Sequence, residues 1–286
     1  MSFSAKLNRA IKSTGSCLCV GLDPVLNQIP TNAVASGLSA AGKVEEFCTN
    51  IIEATHALAA AYKPNLAFFE NLGAEGLAVF ERVVQAIPED RLVIADAKRG
   101  DIGHTAQQYA ETYFEKFNAD AITLNPLMGF ETLSPFLDHS DKAIFVLTRT
   151  SNSGAADFLD QPFNNYSSMA AYIASNLKTL QVSSNTHCGM VVGATEPQKL
   201  EEILKWHPKA TLLIPGVGTQ GGSVAELKKV LEGHKGMPVV SISRSILYPS
   251  TSGASQRSYY ELVREQASQY NFSLKHLISD QVHVKT

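Results

Sequence analysis

Short apolar segments with high strand propensity recur along the chain, and each is followed by a stretch that can form a helix. This alternation is typical of parallel βαβ units. The pattern predicts eight strands, at Cys17–Leu22, Ala61–Asn65, Leu92–Asp96, Ala121–Asn125, Ala143–Thr148, Gly189–Gly193, Thr211–Pro215 and Pro238–Ile242. Eight parallel strands separated by helices close into a barrel, so we expect an α/β fold of the (β/α)8 TIM-barrel class.

The helical segments are less regular than the strands. Three helices are predicted with defined bounds, at Lys43–Ala61, Ile102–Phe117 and Tyr259–Gln269. Asp101 precedes the second of them and is a candidate N-cap. The chain between Ser151 and His187 is longer than one helix and one turn require, so we expect an inserted helical or lid region at about 152–187. No linker rich in proline or serine interrupts the sequence, and we interpret residues 1–286 as a single domain.

Composition narrows the class of protein. The 286 residues are 44% hydrophobic and 18% charged, which suits one large globular domain. The net charge is -3 with both signs interleaved, so nucleic acid is not an expected partner. No apolar run approaches the roughly 20 residues that span a bilayer, and the first residues lack the layout of a secretory signal. We therefore expect a cytoplasmic protein with no membrane partner.

The cysteines and histidines do not predict a metal site. Cys17, Cys19, Cys48 and Cys188 are scattered without CxxC spacing, which is typical of reduced core residues. The eight histidines show neither HxH nor HExxH spacing. We therefore expect no metal, and a metal could enter only through carboxylates.

Polar residues end several of the predicted strands, where an enzyme of this fold class carries its active site. They are Asp23 after the first strand, Lys63 and Asn65 on the second, Asp96, Lys98 and Asp101 at the third, and Asn125 at the fourth. Strand side chains alternate, so Asp96 and Lys98 should face the barrel mouth together. Asp101 follows Gly100 and can point back to the same pocket. Spacing alone leaves two interpretations open: a catalytic cluster, or a structural salt bridge beside a helix cap.

Two loops near the end of the barrel predict a phosphate site. Pro215–Gly222 is a glycine-rich loop after the seventh strand, and Ser243–Ile246 follows the eighth. Loops at these two places often bind phosphate through backbone N–H groups. Arg244 would add a bidentate donor.

These residues resemble a known family. DAKRGDIGHT, at Asp96–Thr105, resembles the DxKxxDIxxT signature of the orotidine 5′-phosphate decarboxylase family, in the spelling of its longer bacterial branch. Further motifs follow in the family's order: GLDP with Asp23, YKPN with Lys63, LTRTSNSG with Ser151, PGVGTQGG with Gln220 and SRSI with Arg244. The resemblance covers about residues 17–250. Many members of the family have Gly-Arg where this chain has Ser243-Arg244.

The resemblance implies an activity and a role for each residue. A lyase of this family releases CO₂ from orotidine 5′-phosphate to give UMP in pyrimidine biosynthesis, without metal or organic cofactor. The implied catalytic residues are Lys63, Asp96, Lys98 and Asp101, with Lys98 as proton donor to C6 and Asp101 supplied by the second subunit of a homodimer. The implied substrate-binding residues are Asp23 and Thr105 for the ribose, Ser151 for the pyrimidine, and Gln220 and Arg244 for the phosphate.

Two other functions share parts of this pattern. Metal-dependent decarboxylases of keto-sugar phosphates, from the same barrel superfamily, share DxKxxD, but they place a glutamate where this chain has Lys63. A lysine at that position repels Mg²⁺, whose enediolate complex needs carboxylate ligands. A non-catalytic sensor of phosphorylated ligands would keep Gln220 and Arg244 but need not keep the four charged residues.

Overall fold

The computed structural model describes residues 1–218, 221–250 and 258–278. Eight parallel strands form one closed barrel in sequence order, with the first strand hydrogen-bonded to the eighth. The strands are β1 Leu18–Leu22, β2 Ala61–Pro64, β3 Leu92–Arg99, β4 Ala121–Leu124, β5 Ala143–Arg149, β6 His187–Val192, β7 Leu212–Pro215 and β8 Pro238–Ile242. All eight predicted strands are confirmed, and so is the (β/α)8 barrel.

The helices surround the barrel. In chain order they are α1 Phe3–Thr14, α2 Ala40–Thr55, α3 Leu66–Glu70, α4 Gly76–Gln85, α5 Gly103–Ala110, α6 Ala155–Phe158, α7 Met169–Ser183, α8 Pro197–Trp206, α9 Val224–Leu231, α10 Arg244–Leu247 and α11 Tyr259–Leu274. A π-helix, Glu111–Lys116, continues α5, and a 3-10 helix, Phe130–Phe136, takes the place of an α-helix between β4 and β5. No helix among the described residues is both long and apolar enough to cross a bilayer.

Three helix boundaries differ from the predictions. α2 begins at Ala40, where Ser39 accepts a hydrogen bond from the Gly42 N–H, and it ends at Thr55, before the predicted end at Ala61. α5 begins at Gly103 with Ile102 as its N-cap residue, so the predicted cap at Asp101 is wrong. α11 extends past the predicted end, to Leu274.

The third strand departs from regular β structure where its charged residues lie. β3 continues to Arg99, past the predicted end at Asp96, and its pairing with β4 shifts register between Ala95 and Arg99. Within this irregular stretch Lys98 has a φ of 48°, in the left-handed region that a residue other than glycine rarely adopts. Because of this register shift, the side chains at the end of β3 point in directions different from those in a regular strand.

The first helix closes the end of the barrel that is opposite the strands' carboxyl ends. Phe3, Leu7 and Ile11 on α1 are buried. The Phe3 ring stacks on His187 at the start of β6 and meets Phe145 of β5 edge to face. Because these rings fill the amino-terminal end of the barrel, the carboxyl-terminal end is the one left for a site.

Three histidines lie near this closed end, and burial lowers the pKa of each. Burial lowers the pKa of His187 to about 4 and, with neighbouring positive charge, that of His207 to about 4. The pKa of His234 is lowered as well, chiefly by burial. His207 is 5% exposed, and neither ring nitrogen has a hydrogen-bond partner among the described residues. These rings are therefore neutral in the folded protein at pH 7.

We expect the free energy of unfolding to fall on acidification from pH 7 to pH 5. The unfolded chain protonates histidine near pH 6.5. The folded chain protonates His187 and His207 only near pH 4, so the unfolded state binds more protons between these values. Linkage then removes about 2 kcal/mol per histidine by pH 5. Urea unfolding at both pH values would measure the loss.

A substitution at His207 isolates one contribution to this loss. His207→Leu should lose less stability between pH 7 and pH 5 than the wild type, because leucine does not take up a proton on unfolding. Equal pH dependence in His207→Leu and the wild type would contradict the assignment.

The segment predicted as an insertion contains short elements. The helix α6 and an antiparallel bridge between Phe163 and Tyr166 precede α7. The aromatic rings of Phe163 and Tyr166 both pack on Tyr172 of α7, and Tyr166 also contacts Trp206 of α8. The segment is thus packed against the outer helices.

Candidate active site

A row of three ionised side chains spans the carboxyl-terminal ends of β2 and β3. Asp96 lies between the two lysines: its Oδ2 accepts a hydrogen bond from Lys63 Nζ at 2.6 Å, and its Oδ1 accepts one from Lys98 Nζ at 2.6 Å. Lys63 and Asp96 are buried, whereas the side chain of Lys98 is 49% exposed. The row therefore has a buried end and an end that faces the barrel mouth. The predicted proximity of Asp96 and Lys98 is confirmed.

The charges in this row stabilise each other. Burial alone would raise the pKa of Asp96, but Lys63 and Lys98 outweigh it and hold that pKa well below its usual range. Burial alone would lower the pKa of Lys63, but the carboxylates of Asp96 and Asp23 raise it above its usual value. Lys63 and Asp96 are therefore both ionised at neutral pH, and they place fixed charges of opposite sign at the buried end of the row.

Asp23 lies directly after β1 and provides an unsatisfied polar atom. Its Oδ1 is buried and has no hydrogen-bond partner among the described residues. The same holds for the hydroxyl of Ser243, directly after β8, which pairs with β1. Buried oxygens of this kind are nearly always hydrogen-bonded in folded proteins. Asp23 Oδ1 can accept a hydrogen bond from a ligand hydroxyl, whereas the Ser243 hydroxyl can donate one to a ligand hydroxyl or phosphate oxygen.

Asp101 is not part of the row formed by its own chain. Its Oδ1 accepts a hydrogen bond from the Ile102 N–H at 2.8 Å, and within the described part of the chain it forms no ion pair with Lys63 or Lys98. Thr105 lies on the first turn of α5 and is exposed. The chain thus brings together Lys63, Asp96 and Lys98 but leaves these two predicted site residues outside the row.

The loops after β3 and β4 are in close contact. A Cβ atom at Gly100 would lie 2.7 Å from the backbone oxygen of Asn125, so only glycine allows this approach. Asn125 itself accepts a hydrogen bond from the Leu127 N–H and so shapes its own loop. The two loops expose three large apolar side chains: Ile102, Leu127 and Met128.

Ser151 follows β5 in a segment fixed by its neighbours. Its backbone oxygen accepts a hydrogen bond from the Thr195 hydroxyl at 3.2 Å. A Cβ atom at Gly193 would lie 2.7 Å from Ser151 Cα, so only glycine allows the loop after β6 to approach this residue so closely. Ser151 is therefore placed at the mouth by the ends of two strands.

A buried arginine next to Ser151 anchors the same segment. Arg149 is 2% exposed, and its guanidinium donates to both carboxylate oxygens of Asp160, at 3.0 and 3.3 Å. It also pairs with Glu196 at 2.8 Å and donates to the backbone oxygen of Thr150. A bidentate pair of this kind fixes geometry as well as charge. Arg149 thereby joins the end of β5 to α8 and to the segment after α6.

The two loops predicted to bind phosphate lie against each other. Gly218 has a φ of 87°, and a Cβ atom there would lie 3.0 Å from the hydroxyl of Ser245 on α10. Arg244 is exposed at the start of α10 and forms no ion pair among the described residues. Gln220 lies outside the described residues. The glycine-rich loop therefore lies beside α10, on the side of the barrel mouth that carries Arg244.

The sequence interpretation missed two residues of the site, Thr123 and Arg149. Thr123, on β4, is 1% exposed, and its hydroxyl lies 3.0 Å from Asp96 Oδ1. The available signal for both was a polar side chain within an apolar strand. Within the described ranges, no group of three His, Cys, Asp or Glu side chains is arranged to hold a metal ion.

The closed barrel with an ionised row at the carboxyl-terminal ends of its strands defines a (β/α)8-barrel enzyme. The sequence profile of the Orotidine 5′-phosphate decarboxylase / HUMPS family matches residues 16–257. The chain therefore belongs to that family, and the resemblance seen in its motifs is confirmed.

Similar proteins cover nearly the whole chain. The orotidine 5′-phosphate decarboxylase of Herpetosiphon aurantiacus is 42% identical over 268 residues, which cover 94% of this chain and 96% of that protein. The enzyme of the same name from Dehalococcoides mccartyi is 36% identical over 95% of this chain and 98% of that protein. The structure of Leishmania donovani OMP decarboxylase superposes with a TM-score of 0.75 and 36% identity, over 95% of this chain and 99% of that one.

Proposed function

We propose that this enzyme decarboxylates orotidine 5′-phosphate (OMP) to UMP and uses no metal or organic cofactor. The observation that carries the proposal is the row Lys63–Asp96–Lys98, in which both carboxylate oxygens are held by ammonium groups at 2.6 Å. A carboxylate engaged in this way is a poor metal ligand, but the row supplies fixed positive charge to a reacting carbon. The names of the similar proteins agree with this activity.

Lys98 is assigned the central chemical step. When the bond between C6 and the carboxylate carbon breaks, CO₂ leaves and its bonding electron pair stays on C6. The pyrimidine ring delocalises that charge poorly, so an ammonium fixed beside C6 is the most direct way to lower the energy of the transition state for decarboxylation. Lys98 Nζ then transfers a proton to C6, which completes UMP, and water restores the proton to the lysine.

Lys63 and Asp96 hold Lys98 in place for this step. Asp96 receives Lys98 on one oxygen and Lys63 on the other, so the orientation of Lys98 depends on both neighbours. Because these partners are already in place before substrate binds, little reorganisation is needed during the reaction.

The remaining assigned residues bind the substrate. Arg244 and Gln220 bind the phosphate. Asp23 and Thr105 bind ribose hydroxyls, and Ser151 contacts the pyrimidine. Among the described residues Asp23 Oδ1 has no hydrogen-bond partner and the exposed guanidinium of Arg244 has no ion-pair partner, which supports both roles. The phosphate lies far from the bond that breaks, so its binding energy serves to align the substrate with the charged row.

We also propose a homodimer with shared sites, in which Asp101 enters the pocket of the partner subunit. Two observations support it: Asp101 stays outside the row of its own chain, and Ile102, Leu127 and Met128 are 58, 63 and 52% exposed beside it. Burial of these side chains against a second copy would remove apolar surface from water. The proposed location is the cytoplasm, which the four free, buried cysteines support.

The direct test is consumption of OMP, followed by ultraviolet absorbance, in the presence of excess EDTA. We expect full activity after exhaustive chelation, because Lys63 and Lys98 are hydrogen-bonded to the two carboxylate oxygens of Asp96. Turnover of a keto-sugar phosphate instead, lost in EDTA and restored by Mg²⁺, would favour the metal-dependent alternative. Binding of OMP without any turnover would favour the non-catalytic sensor.

A further inference from the structure

The hydroxyl of Thr123 forms hydrogen bonds with both residues of the charged row that lie on β3, Asp96 and Lys98. It accepts a hydrogen bond from the backbone N–H of Lys98 at 2.9 Å and donates one to Asp96 Oδ1 at 3.0 Å. Thr123 lies on β4, is 1% exposed and is therefore shielded from water. A single side chain from the neighbouring strand thus contacts both the backbone of the proton donor and its carboxylate partner.

The contact falls where the backbone most needs support. Lys98 has a φ of 48°, which is disfavoured for a lysine because Cβ crowds the backbone. The register of β3 against β4 shifts over the same residues, so regular ladder hydrogen bonds are not available there. The Thr123 hydroxyl gives the Lys98 N–H the acceptor that a regular strand would have supplied.

The carboxylate also depends on this hydroxyl. Asp96 Oδ1 is shared by Lys98 Nζ and Thr123, whereas Oδ2 is occupied by Lys63. Without the hydroxyl, Oδ1 would have one partner fewer and the carboxylate could rotate about its bond to Cβ. Such rotation would carry the ammonium of Lys98 with it.

We propose that Thr123 is a positioning residue for decarboxylation, one that sets the angle at which Lys98 meets C6. The inference rests on the proposed function. It differs from a purely structural role for Thr123, which would affect folding and leave turnover by the folded enzyme unchanged.

The experiment compares Thr123→Val and Thr123→Ser with the wild type. Valine keeps the shape of threonine and removes the hydroxyl, whereas serine keeps the hydroxyl. Each variant is assayed for kcat and KM with OMP, for Kd with UMP by calorimetry, and for its free energy of unfolding. Thr211→Val is the matched control: Thr211 is 2% exposed, and its hydroxyl pairs with His187 at the opposite end of the barrel.

We expect Thr123→Val to lower kcat by between about tenfold and 100-fold, as the loss of a buried hydrogen bond to a charged group predicts. Its Kd for UMP should change by less than about threefold, and Thr123→Ser should restore most of kcat. Thr211→Val should lose stability with kcat unchanged.

The outcomes separate the inference from the function on which it rests. If the wild type decarboxylates OMP and Thr123→Val keeps the wild-type kcat, Thr123 has no positioning role. The same conclusion follows if both valine variants lower kcat equally, because the effect would then follow stability. If the wild type does not decarboxylate OMP, the proposed function fails first, and the inference falls with it.

Discussion

Replacing Lys98 with alanine is expected to lower kcat for OMP by at least about 1000-fold, because in the proposed mechanism its ammonium both faces the charge that develops at C6 and supplies the proton. The binding of UMP should weaken by less than about tenfold, since UMP already has its hydrogen at C6. Steady-state kinetics would give kcat and KM, and calorimetry would give the Kd for UMP. Because the Lys98 side chain is 49% exposed at the mouth side of the row, we expect the variant to fold, and its free energy of unfolding, measured alongside, checks this.

Arg244→Ala provides the contrast. It should raise KM for OMP and the Kd for UMP by about tenfold to 100-fold, the usual effect of losing a hydrogen bond to a charged group. The binding of uridine, which has no phosphate, should change little.

A Lys98→Ala variant whose defect is confined to KM would refute the proton-donor role.

Mixing two inactive variants should restore activity if the sites are shared between subunits. Homodimers of Lys98→Ala or of Asp101→Ala lack one charged group in every pocket. In a hybrid dimer, the pocket with an intact Lys98 also receives an intact Asp101 from its partner. Random exchange makes about half of the dimers hybrid, and each hybrid has one complete pocket, so about a quarter of the wild-type activity should return.

A second mixture controls for this result. Asp96 and Lys98 belong to the row of one chain, so mixing Asp96→Ala with Lys98→Ala leaves every pocket incomplete and should restore nothing. Native mass spectrometry would confirm that subunits exchange. If exchange is complete and the Asp101→Ala mixture stays inactive, Asp101 serves its own chain and the shared site is wrong.

The strands could be predicted because each is buried on both faces and is therefore an almost continuous apolar run, as in β1 and β4. The end of α2 could not. The apolar residues continue through Leu58, Ala59 and Ala60 to β2, so hydrophobicity alone does not mark where the helix ends. The single domain over residues 1–286 and the inserted region at about 152–187 stay predictions.

The charged row could be predicted because ionised residues interrupt apolar strands at positions where they are costly to bury. The contributions of Arg149 and Thr123 could not. The partners of Arg149 are Asp160, 11 residues further on, and Glu196, 47 residues further on, so neither pairing follows from the regular spacing of a strand or helix. Thr123 also fits a strand by propensity alone, which concealed its contact with Asp96.

The left-handed backbone at Lys98 has an evolutionary consequence. Lysine is unfavourable in this conformation, whereas glycine and asparagine adopt it readily, so folding alone would favour either of them at this position. Under the proposed mechanism, selection for turnover is what keeps lysine there against the conformational preference. In a descendant released from that selection, position 98 would be among the first of the row to drift, and its replacement by glycine or asparagine would mark a lineage that has kept the barrel and abandoned the chemistry.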